Sequence, residues 1–502
     1  MEKKRNRNKT IITAKKTTKK KKKFKYKNII KLIISIIMLI LSIVCFAYVN
    51  NLNVLPFKYL LLFIGVLLIM NFIATVLLLS KGKIKQTISI ILYIIIIFIS
   101  VIGIKYAGNT IEYLNKGFNN NKVELTTYNV IVLTDSNYEK IEDLNNTTMG
   151  YLFLELNNND YLKTIKKKVT TELKQLDVYE LYKELMNKEI DSILINDGYI
   201  SLIEEEYPDF SEKTKILDSF DVEIKIETNN KKLDELKPIN LYLSGTDSRS
   251  SNISSNGTSD VNIVVTINPK THTILLTNIP RDYYVQLHGT KGLKDKLTHA
   301  GFYGIDMSRQ TIEDLMDIEI DYSVKVGFNS VIKLVDLVGG IDIYSDIAFL
   351  SHCDDGGAKK VYVKKGWNHF NGAQALSFAR ERYAYSDGDR QRGRNQQEVI
   401  KAIFNKIISD KSILLKYDSL LSSFSNLYRT DLPKEFVTLL IKEQLNNMSS
   451  WTIETQSVDG YGASKSTYSM PGYDNLYVMI PYQETVTKAT NKINSILNNK
   501  KN

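Results

Sequence analysis

The stretch at residues 259–285, SDVNIVVTINPKTHTILLTNIPRDYYV, indicates the fold of the second half of this 502-residue chain. It contains two short runs of aliphatic and β-branched residues, at 261–267 and 273–278, that predict two β-strands. Asp260 comes directly before the first run, and Arg281 follows the second run after a proline that fixes its own backbone φ angle. A carboxylate and a guanidinium group are therefore expected at strand ends.

Residues 239–502, which surround this stretch, alternate between predicted strands and predicted helices. This alternation predicts an α/β domain, and its apolar content is sufficient for a substantial core. Lysine- and asparagine-rich residues at 228–238 predict a linker before it. The further strands are expected at 240–244, 322–326 and 341–344, and the helices at 308–317, 328–338, 395–409, 412–425, 433–446 and 484–498.

The segment at 107–227 predicts a smaller, accessory α/β domain that begins with a polar connector at 109–122. The motifs YEKIEDLNNTTMGY at 138–151 and LMNKEIDSILIND at 185–197 resemble those of one lobe of the periplasmic solute-binding proteins. An unspecialised spacer domain is the alternative, because none of its residues cluster into a catalytic site. Strands are expected at 128–133, 149–153 and 190–195, and helices at 138–144, 160–174, 178–187 and 199–206.

Three nearly uncharged apolar stretches, at 29–49, 58–80 and 87–106, are each about the 20 residues needed to cross a bilayer. No signal-peptide cleavage site accompanies them, so they predict three transmembrane helices of the mature protein. The loop between the second and third stretches carries three lysines, whereas the loop between the first and second carries none.

The basic residues of the amino-terminal segment predict the orientation in the membrane. Residues 1–28 carry 14 Lys or Arg against one Glu, which accounts for the whole net charge of +11. The positive-inside rule therefore predicts a cytoplasmic tail at 1–28 and an extracytoplasmic position for everything after residue 107 of a multi-pass cell-membrane protein. The tail is expected to contact anionic lipid, and no nucleic-acid partner is predicted. Cys45 and Cys353 lie in different compartments, so no disulfide is expected.

Arginine is scarce, with 11 Arg among 66 basic residues, yet five of them lie within residues 380–394. Arginine offers a planar, permanently charged donor fork that matches phosphate oxygens, which lysine lacks. A solvated basic loop is the alternative, but the apolar run at 375–379 indicates that the cluster leaves a packed element. Together with the carboxylates of Asp247 and Asp260, the arginines indicate phosphoryl or pyrophosphate chemistry with a hard cation such as Mg²⁺.

Other chemistries find little support in the sequence. The five histidines show no metal-ligand spacing, and no P-loop, dinucleotide-binding fingerprint or Gly-x-Ser-x-Gly nucleophile motif is present. An enzyme facing outward cannot draw directly on cytoplasmic ATP. Its phosphate must arrive already activated, and lipid pyrophosphates are the expected carriers.

Six ordered blocks between residues 239 and 411 resemble the LytR-CpsA-Psr family. The resemblance implies a C-terminal α/β domain with a central mixed sheet flanked by helices, and an apolar slot between them for a prenyl chain. The blocks are LYLSGTDSR (241–249), SDVNIVVTINPKTHTILLTNIPRDYYV (259–285), KLTHAGFYG (296–304), VGFNSVIKLVDLVGGIDI (326–343), GWNHFNGAQALSFARER (366–382) and DRQRGRNQQEVIKAI (389–403).

What the resemblance implies is a phosphotransferase of the Gram-positive wall. Its members move a glycopolymer, of the wall teichoic acid or capsular polysaccharide type, from an undecaprenyl-pyrophosphate carrier to peptidoglycan and form a phosphodiester. By matching position, Asp247 and Asp260 are expected to bind Mg²⁺, with Mn²⁺ as the alternative. Asp260, Arg281 and Asp389 are the candidate catalytic residues, and the general base stays open between Asp389 and a metal-binding Asp. The expected pyrophosphate contacts are Arg249, Arg281, Arg380, Arg382, Arg392 and Gln396.

Two positions depart from the pattern of the family. Thr258 stands where many members have an arginine, and Arg249 is the candidate to replace it. Asn395 stands where many have another arginine, with Arg394 one place earlier. Two alternatives to the transferase stay open: a membrane-bound regulator or sensor, and a hydrolase of polyprenyl pyrophosphates.

Overall fold

The computed structural model describes residues 2–119, 123–152, 160–225, 235–246, 257–354, 360–409 and 428–498. The chain forms two compact units. One comprises Met1–Glu112 with Val437–Met448, and the other comprises Tyr113–Phe436 with Ser449–Asn502.

Three long helices dominate the first unit: α1 (Glu2–Asn51), α2 (Phe57–Leu79) and α3 (Lys83–Asn119). Each contains a segment long and apolar enough to cross a membrane, which confirms the three predicted apolar helices.

Buried polar side chains connect these apolar helices. Asn71 of α2 donates a hydrogen bond of 2.8 Å to the Ser42 hydroxyl of α1, and the hydroxyls of Ser35 and Tyr93 lie 2.8 Å apart. Hydrogen bonds between helices are favourable in lipid, where no water competes for the same groups. They specify how the three helices pack.

The prediction of a polar connector at 109–122 is wrong for most of this segment, because helix α3 continues to Asn119. Ala107, Thr110 and Leu114 recur at helical spacing and are all buried. A buried stripe of this kind stabilises a helix whose other faces are polar. The polar composition concealed this stripe.

The accessory domain is built on a five-stranded mixed sheet. Its elements are β1 (Val123–Leu133), a 3₁₀ helix (Ile141–Leu144), β2 (Thr148–Leu152), α4 (Asp160–Lys168), β3 (Glu172–Leu176), α5 (Val178–Met186), β4 (Ser192–Asn196), α6 (Asp197–Glu206), α7 (Phe210–Lys213) and β5 (Thr214–Lys225). The strand order is β3-β2-β4-β1-β5. Strand β2 runs parallel to its two neighbours, and β1 runs antiparallel to its own.

One expectation for the accessory domain is wrong. The helix expected at 160–174 ends at Lys168, and its last residues belong to β3 instead. The β-branched Val169, Thr170 and Thr171 disfavour helix at this point, and β3 then pairs in parallel with β2. Strand β5 was not predicted.

The larger α/β domain is built on a six-stranded mixed sheet. The strands of the whole domain, in the sheet and outside it, are β6 (Ile239–Thr246), β7 (Val261–Asn268), β8 (Thr273–Asn278), β9 (Tyr284–Val285), β10 (Asp295–Lys296), β11 (Tyr322–Gly327), β12 (Ile341–Ser345), β13 (Phe349–Asp354), β14 (Lys360–Val363), β15 (Gly366–Phe370), β16 (Tyr428–Thr430), β17 (Thr452–Ser457), β18 (Gly460–Lys465) and β19 (Leu476–Pro481). The central sheet has the order β16-β11-β6-β7-β8-β17, and the other strands form two-stranded ribbons.

Helices cover both faces of the central sheet. The helices of the larger domain are α8 (Leu297–Ala300), α9 (Ile305–Met316), α10 (Phe328–Leu337), α11 (Gly372–Arg380), α12 (Asp389–Ser409) and α14 (Gln483–Leu497), whereas α13 (Lys434–Asn447) belongs mostly to the first unit. Leu275 faces the core that holds α9 and α14, whereas the carbonyl of its neighbour Leu276 accepts a hydrogen bond of 2.9 Å from Gln397 of α12. The predicted α/β fold, with a central mixed sheet between helices, is confirmed.

Most elements expected in the larger domain occur within a few residues of their predicted bounds. Helix α12 begins at Asp389 rather than at 395, which places most of the arginine cluster on the helix itself. The helix expected at 412–425 lies outside the described residues. Strands β9, β10 and β13–β19 were not predicted.

The accessory domain and the larger domain share one hydrophobic cluster. Phe302, Met470 and Leu476 of the larger domain pack among apolar residues of the accessory domain. The rings of Tyr199 and Phe302 stack with their centroids 5.2 Å apart. The shared cluster attaches the two domains to each other through buried apolar area.

Candidate functional site

Four strands of the central sheet end in one row. Thr246 pairs with Gly327 across β6 and β11, and Asn278 pairs with Ser457 across β8 and β17. Strand β7 runs antiparallel to both of its neighbours, so its first residue lies in the same row. We call this row the polar edge, because the residues just beyond the strands carry the charges described below.

Charged groups from distant parts of the sequence meet along the polar edge. Asp260 precedes β7, Arg281 follows β8 after two residues, and Asp459 follows β17 after one. Phe328, which follows β11, holds a further arginine on its ring. Ligands of open α/β sheets commonly bind beyond the carboxyl ends of strands, and the polar edge is such a place.

Asp260 and Arg281 form a half-buried ion pair at the centre of the edge. The Arg281 Nη1 donates to Asp260 Oδ1 over 2.6 Å, and the two side chains are 16% and 15% exposed. The other carboxylate oxygen accepts a bond of 3.0 Å from the Thr258 hydroxyl. Thr258, one of the departures from the family pattern, therefore orients the Asp260 carboxylate.

A buried lysine joins this pair and was missed in the sequence. The Lys296 Nζ lies 3.9 Å from the Asp282 carboxylate, which also lies 3.6 Å from the Arg281 Nε. Lys296 is only 3% exposed, which is rare for a lysine. It begins the block KLTHAGFYG, and that position was the one signal in the sequence that could have identified it.

The backbone of Lys296 is fixed by a buried network around the Asp295 carboxylate. The Asp295 carboxylate accepts from the Lys296 amide over 2.8 Å and lies 2.6 Å from the His299 Nδ1. The Ser469 amide donates to it over 2.8 Å. His299 is fully buried within this network.

The arginine pair at the end of α11 is held by aromatic rings. The Arg380 guanidinium lies over the Phe328 ring at 4.7 Å, and Arg382 lies over the Tyr383 ring at 4.7 Å. Arg382 also donates to the Tyr383 hydroxyl over 2.6 Å. A ring holds a guanidinium group through its flat face, which is not the part that donates hydrogen bonds.

Glu381, between the two arginines, points inward and anchors them. Burial raises the pKa of its carboxyl, but hydrogen bonds from three backbone amides outweigh burial and leave the pKa below its ordinary value. Those amides belong to His352, Ala384 and Tyr383. A fully buried carboxylate bonded in this way fixes the backbone from which Arg380 and Arg382 extend.

The first turns of α12 line a cleft beside the polar edge. The cleft encloses about 180 Å³ between α12, the end of β8 and the end of β17. Asp389 lines it and pairs with Arg392 one turn later. Arg390 lines it too and donates to the Asp459 carboxylate over 2.5 Å, which raises the pKa of Arg390.

The remaining residues of α12 divide between packing and the site. Gln396 is half-buried one turn after Arg392, so the two share a helix face. Asn395 is buried and donates to the Phe378 carbonyl over 3.1 Å. Arg394 lines the cleft and donates to Asp387 over 2.5 Å. The second departure from the family pattern, Asn395, is thus a packing residue.

Gly393 allows α12 to approach the sheet. A Cβ atom at this position would lie 2.4 Å from the side-chain amide nitrogen of Asn278 at the end of β8. Close backbone approach is a common reason for glycine inside a helix. The approach brings the Asp389 turn to the polar edge.

Asp247 and Arg249 lie outside the described residues, so their predicted roles stay predictions. Within the described ranges, no group of three His, Cys, Asp or Glu side chains is arranged to hold a metal ion. Asp260 supplies one carboxylate beside cationic groups. Magnesium sites commonly use one or two carboxylates completed by water and substrate phosphate, and the residues present fit that arrangement.

The family match to known proteins covers the end of the accessory domain and nearly all of the larger domain. Residues 200–495 match the LytR_cpsA_psr family. A protein of Bacillus cereus named polyisoprenyl-teichoic acid–peptidoglycan teichoic acid transferase TagU is 33% identical over 46% of this chain and 73% of its own length. Biofilm regulatory protein A of Streptococcus mutans is 36% identical over 39% of this chain and 50% of its own. The crystal structure of TagV from B. subtilis is 30% identical, covers 52% of this chain and 98% of that chain, and has a TM-score of 0.44.

Proposed function

Because the chain belongs to the LytR_cpsA_psr family, we propose that it transfers a glycopolymer from an undecaprenyl-pyrophosphate carrier to peptidoglycan. Membership of the family and the TagU relatives support the coarser function, a cell-wall glycopolymer transferase. The pyrophosphate donor and the phosphodiester product are the finer parts of the proposal. The polymer is of the wall teichoic acid or capsular polysaccharide type.

The observation that carries the proposal is the composition of the polar edge. A carboxylate, a buried lysine and arginines from three separate segments of the chain lie at the end of one sheet, with a cleft beside them. Phosphoryl transfer requires positioning and charge neutralisation more than a protein nucleophile. The edge offers both.

In the proposed reaction, an acceptor hydroxyl of peptidoglycan attacks the phosphorus that carries the sugar polymer. The bond from this phosphorus to the bridging oxygen breaks, and polyprenyl monophosphate leaves with the electron pair. Arg281, Arg380 and Arg382 bind the non-bridging oxygens, where negative charge must be neutralised. Arg392, Gln396 and Arg249 complete the set of proposed pyrophosphate contacts.

Asp389 is the better of the two candidates for general base. It lines the cleft and is partly exposed, so a hydroxyl can reach it. Asp260 is paired with Arg281 and is the carboxylate proposed to hold the metal ion, which leaves Asp389 to accept the proton. The hydroxyl proton passes to the Asp389 carboxylate as the new oxygen–phosphorus bond forms.

We propose Mg²⁺, or Mn²⁺ in its place, as the cofactor, with Asp260 and Asp247 as the residues that would hold it. When bound, the ion supplies additional neutralisation of the diphosphate charge. Thr258 donates to one Asp260 oxygen and fixes the orientation of the carboxylate that would hold the ion.

The three candidate membrane helices support a membrane-anchored protein. We further propose that the amino terminus is cytoplasmic and that both α/β domains lie on the outer side of the cell membrane. The 14 basic residues among the first 28 support this orientation. A lipid-linked donor and a wall acceptor would then meet the polar edge on the same side.

The decisive experiment uses the full chain in lipid nanodiscs with a synthetic polyprenyl-pyrophosphate oligosaccharide and peptidoglycan glycan strands. Mass spectrometry is expected to find the sugar phosphate on the acceptor with Mg²⁺ and not after EDTA treatment. Free polymer alone, despite added acceptor, would identify a hydrolase. No turnover of the lipid under either condition contradicts the proposal and leaves the regulator or sensor.

A regulatory role is the second candidate, and one observation favours it. The Streptococcus mutans relative at 36% identity is named a biofilm regulatory protein. The two candidates differ in what the site requires. A regulator tolerates Asp260→Asn without a change in wall-bound phosphate, whereas a transferase does not.

A further inference from the structure

Two β-ribbons beside the arginine pair share one core and turn their other faces outward. Strand β12 pairs with β15, and β13 pairs with β14. Ile343, Val361, Val363 and Phe370 from the two ribbons are buried in the same cluster as α11. Because side chains alternate along a strand, the residues between them face away from that core.

The outward faces of these ribbons are rich in exposed aromatic and apolar side chains. Tyr344 lies opposite Trp367, with ring centroids 5.6 Å apart, and Leu350 lies opposite Tyr362. The exposed fractions run from 51% for Tyr344 to 67% for Tyr362. We call this surface the aromatic face, and it consists of Tyr344, Leu350, Tyr362 and Trp367.

The aromatic face is continuous with the arginine pair. His352 lies two residues after Leu350 on the same side of β13, and its ring lies 5.4 Å from the Tyr383 ring. Tyr383 in turn lies under the Arg382 guanidinium. The Glu381 carboxylate bonds both the His352 amide and the Tyr383 amide, which holds the ribbon against the arginine segment.

Resting on the proposed function, we propose that the aromatic face binds the glycan strand of the peptidoglycan acceptor. Sugar rings stack by their apolar C–H faces on tyrosine and tryptophan, and the strand runs from Trp367 toward Arg382. A bound strand then presents a hydroxyl beside the polar edge.

Polar groups interleaved with the rings favour a glycan over a membrane surface. Asp342 and His369 face each other directly beside Tyr344 and Trp367, with the His369 Nδ1 2.7 Å from the Asp342 carboxylate. Insertion of this face into lipid would bury that pair, at a cost in desolvation. When a sugar binds, the same polar groups can form hydrogen bonds with its hydroxyls while the aromatic rings stack on its C–H faces.

The charge at the rim fits the same partner. Lys360, Lys364 and Lys365 are exposed at the ends of β14 and of the turn that follows it. Peptidoglycan strands carry carboxylates on their peptide stems, so lysines at the rim of a glycan-binding face are complementary in charge. An uncharged polysaccharide would gain nothing from them.

The test measures binding without any donor lipid. Full-length protein in nanodiscs is sedimented with purified peptidoglycan that has been stripped of attached polymer, and with glycan strands freed of peptide by an amidase. The double variant with Trp367→Ala and Tyr362→Ala is expected to bind both about tenfold more weakly. A variant with Trp367→Phe in place of Trp367→Ala retains a ring at this position and is expected to restore most of the peptidoglycan binding.

A matched control is an exposed apolar residue on a strand elsewhere. Ile216 of β5 is 56% exposed in the accessory domain, and Ile216→Ala is expected to bind peptidoglycan as the wild type does. Equal binding by the double variant and the wild type would overturn the assignment. A second outcome would also overturn it: the double variant binds peptidoglycan as the wild type does but adsorbs less to anionic vesicles. That outcome would identify the face as a membrane-binding surface.

The same variants separate this inference from the proposed function. In the transfer assay, the double variant is expected to raise the acceptor KM with little change in kcat, because the face binds ground state and transition state alike. Wild type that binds peptidoglycan but transfers nothing refutes the transferase and not the face. Transfer with an unchanged acceptor KM in the double variant refutes the face and not the transferase.

Discussion

The arginines of the larger domain are held in two different ways. Arg281, Arg390 and Arg392 are paired with carboxylates, at Asp260, Asp459 and Asp389. Arg380 and Arg382 lie on the rings of Phe328 and Tyr383.

The difference concerns which part of the guanidinium group is occupied. An ion pair engages the N–H donors, so an arriving phosphate must share or displace the carboxylate. A ring engages the flat face and fixes the plane of the fork, although the Tyr383 hydroxyl also accepts one N–H of Arg382. The paired arginines are therefore expected to couple phosphate binding to acidic groups, and the stacked arginines to recognise it by shape.

Removal of the paired arginine at the centre is expected to have the largest effect. Arg281→Ala removes a cation from the proposed diphosphate site and leaves the half-buried Asp260 without its partner, so transfer should fall about 10³-fold. Steady-state assay of the nanodisc protein measures this. The matched control is Arg309→Ala, which removes an arginine paired with Asp306 and Asp431 instead. If both variants lose transfer equally, the effect is one of folding and the special position of Arg281 is disproved.

Replacement of the first stacked arginine tests shape recognition. Arg380→Lys keeps the charge and loses the planar fork, so we expect transfer to fall about 10²-fold with little change in Tm. Phe328→Leu keeps the arginine and removes the ring, and a smaller loss of about tenfold is expected. Wild-type activity in the lysine variant would show that charge alone suffices and would remove the distinction between the two groups.

Sequence reasoning predicted most of the central sheet, because its strands are dense aliphatic runs. The runs at 261–267 and 273–278 became β7 and β8, with Asp260 and Arg281 just beyond their ends. Local pattern suffices for such strands, since they are buried on both faces. The three ribbon strands between 349 and 370 were missed, because their outer residues are aromatic and the strands are short.

The partners of the site could not be predicted from local pattern. Lys296 and Asp282 meet only because β9 and β10 pair, and Phe328 lies under Arg380 only because α10 and α11 pack together. The arginine cluster was evident as composition. Its division into paired and stacked groups depends on contacts between residues that are far apart in the sequence, such as Arg390 and Asp459. The division also depends on the start of α12 at Asp389, whereas the sequence pattern predicted a start at 395.

The outer stacked arginine should matter less than the inner one. Arg382 and Tyr383 are both exposed, so water competes with the contact and a phosphate is held less firmly there. We expect Arg382→Lys to lower transfer about tenfold and Tyr383→Phe, which keeps the ring and loses the hydroxyl, about twofold. Parallel assays of Arg380→Lys and Arg382→Lys measure the order. If Arg382→Lys lowered transfer more than Arg380→Lys, the diphosphate would have to bind outside the polar edge.

The smallest effect concerns the carboxylate that anchors the stacked pair. Because the folded pKa of Glu381 lies below its unfolded value, the ionised carboxylate stabilises the fold at neutral pH, and this contribution is lost as pH falls through the folded pKa. Glu381→Gln removes the charge and should lower stability at pH 7 by about 1–2 kcal/mol. The difference in Tm between this variant and wild type should narrow as pH falls below about 4.5. A difference independent of pH would mean that the amide hydrogen bonds, and not the charge, hold Arg380 and Arg382 in place.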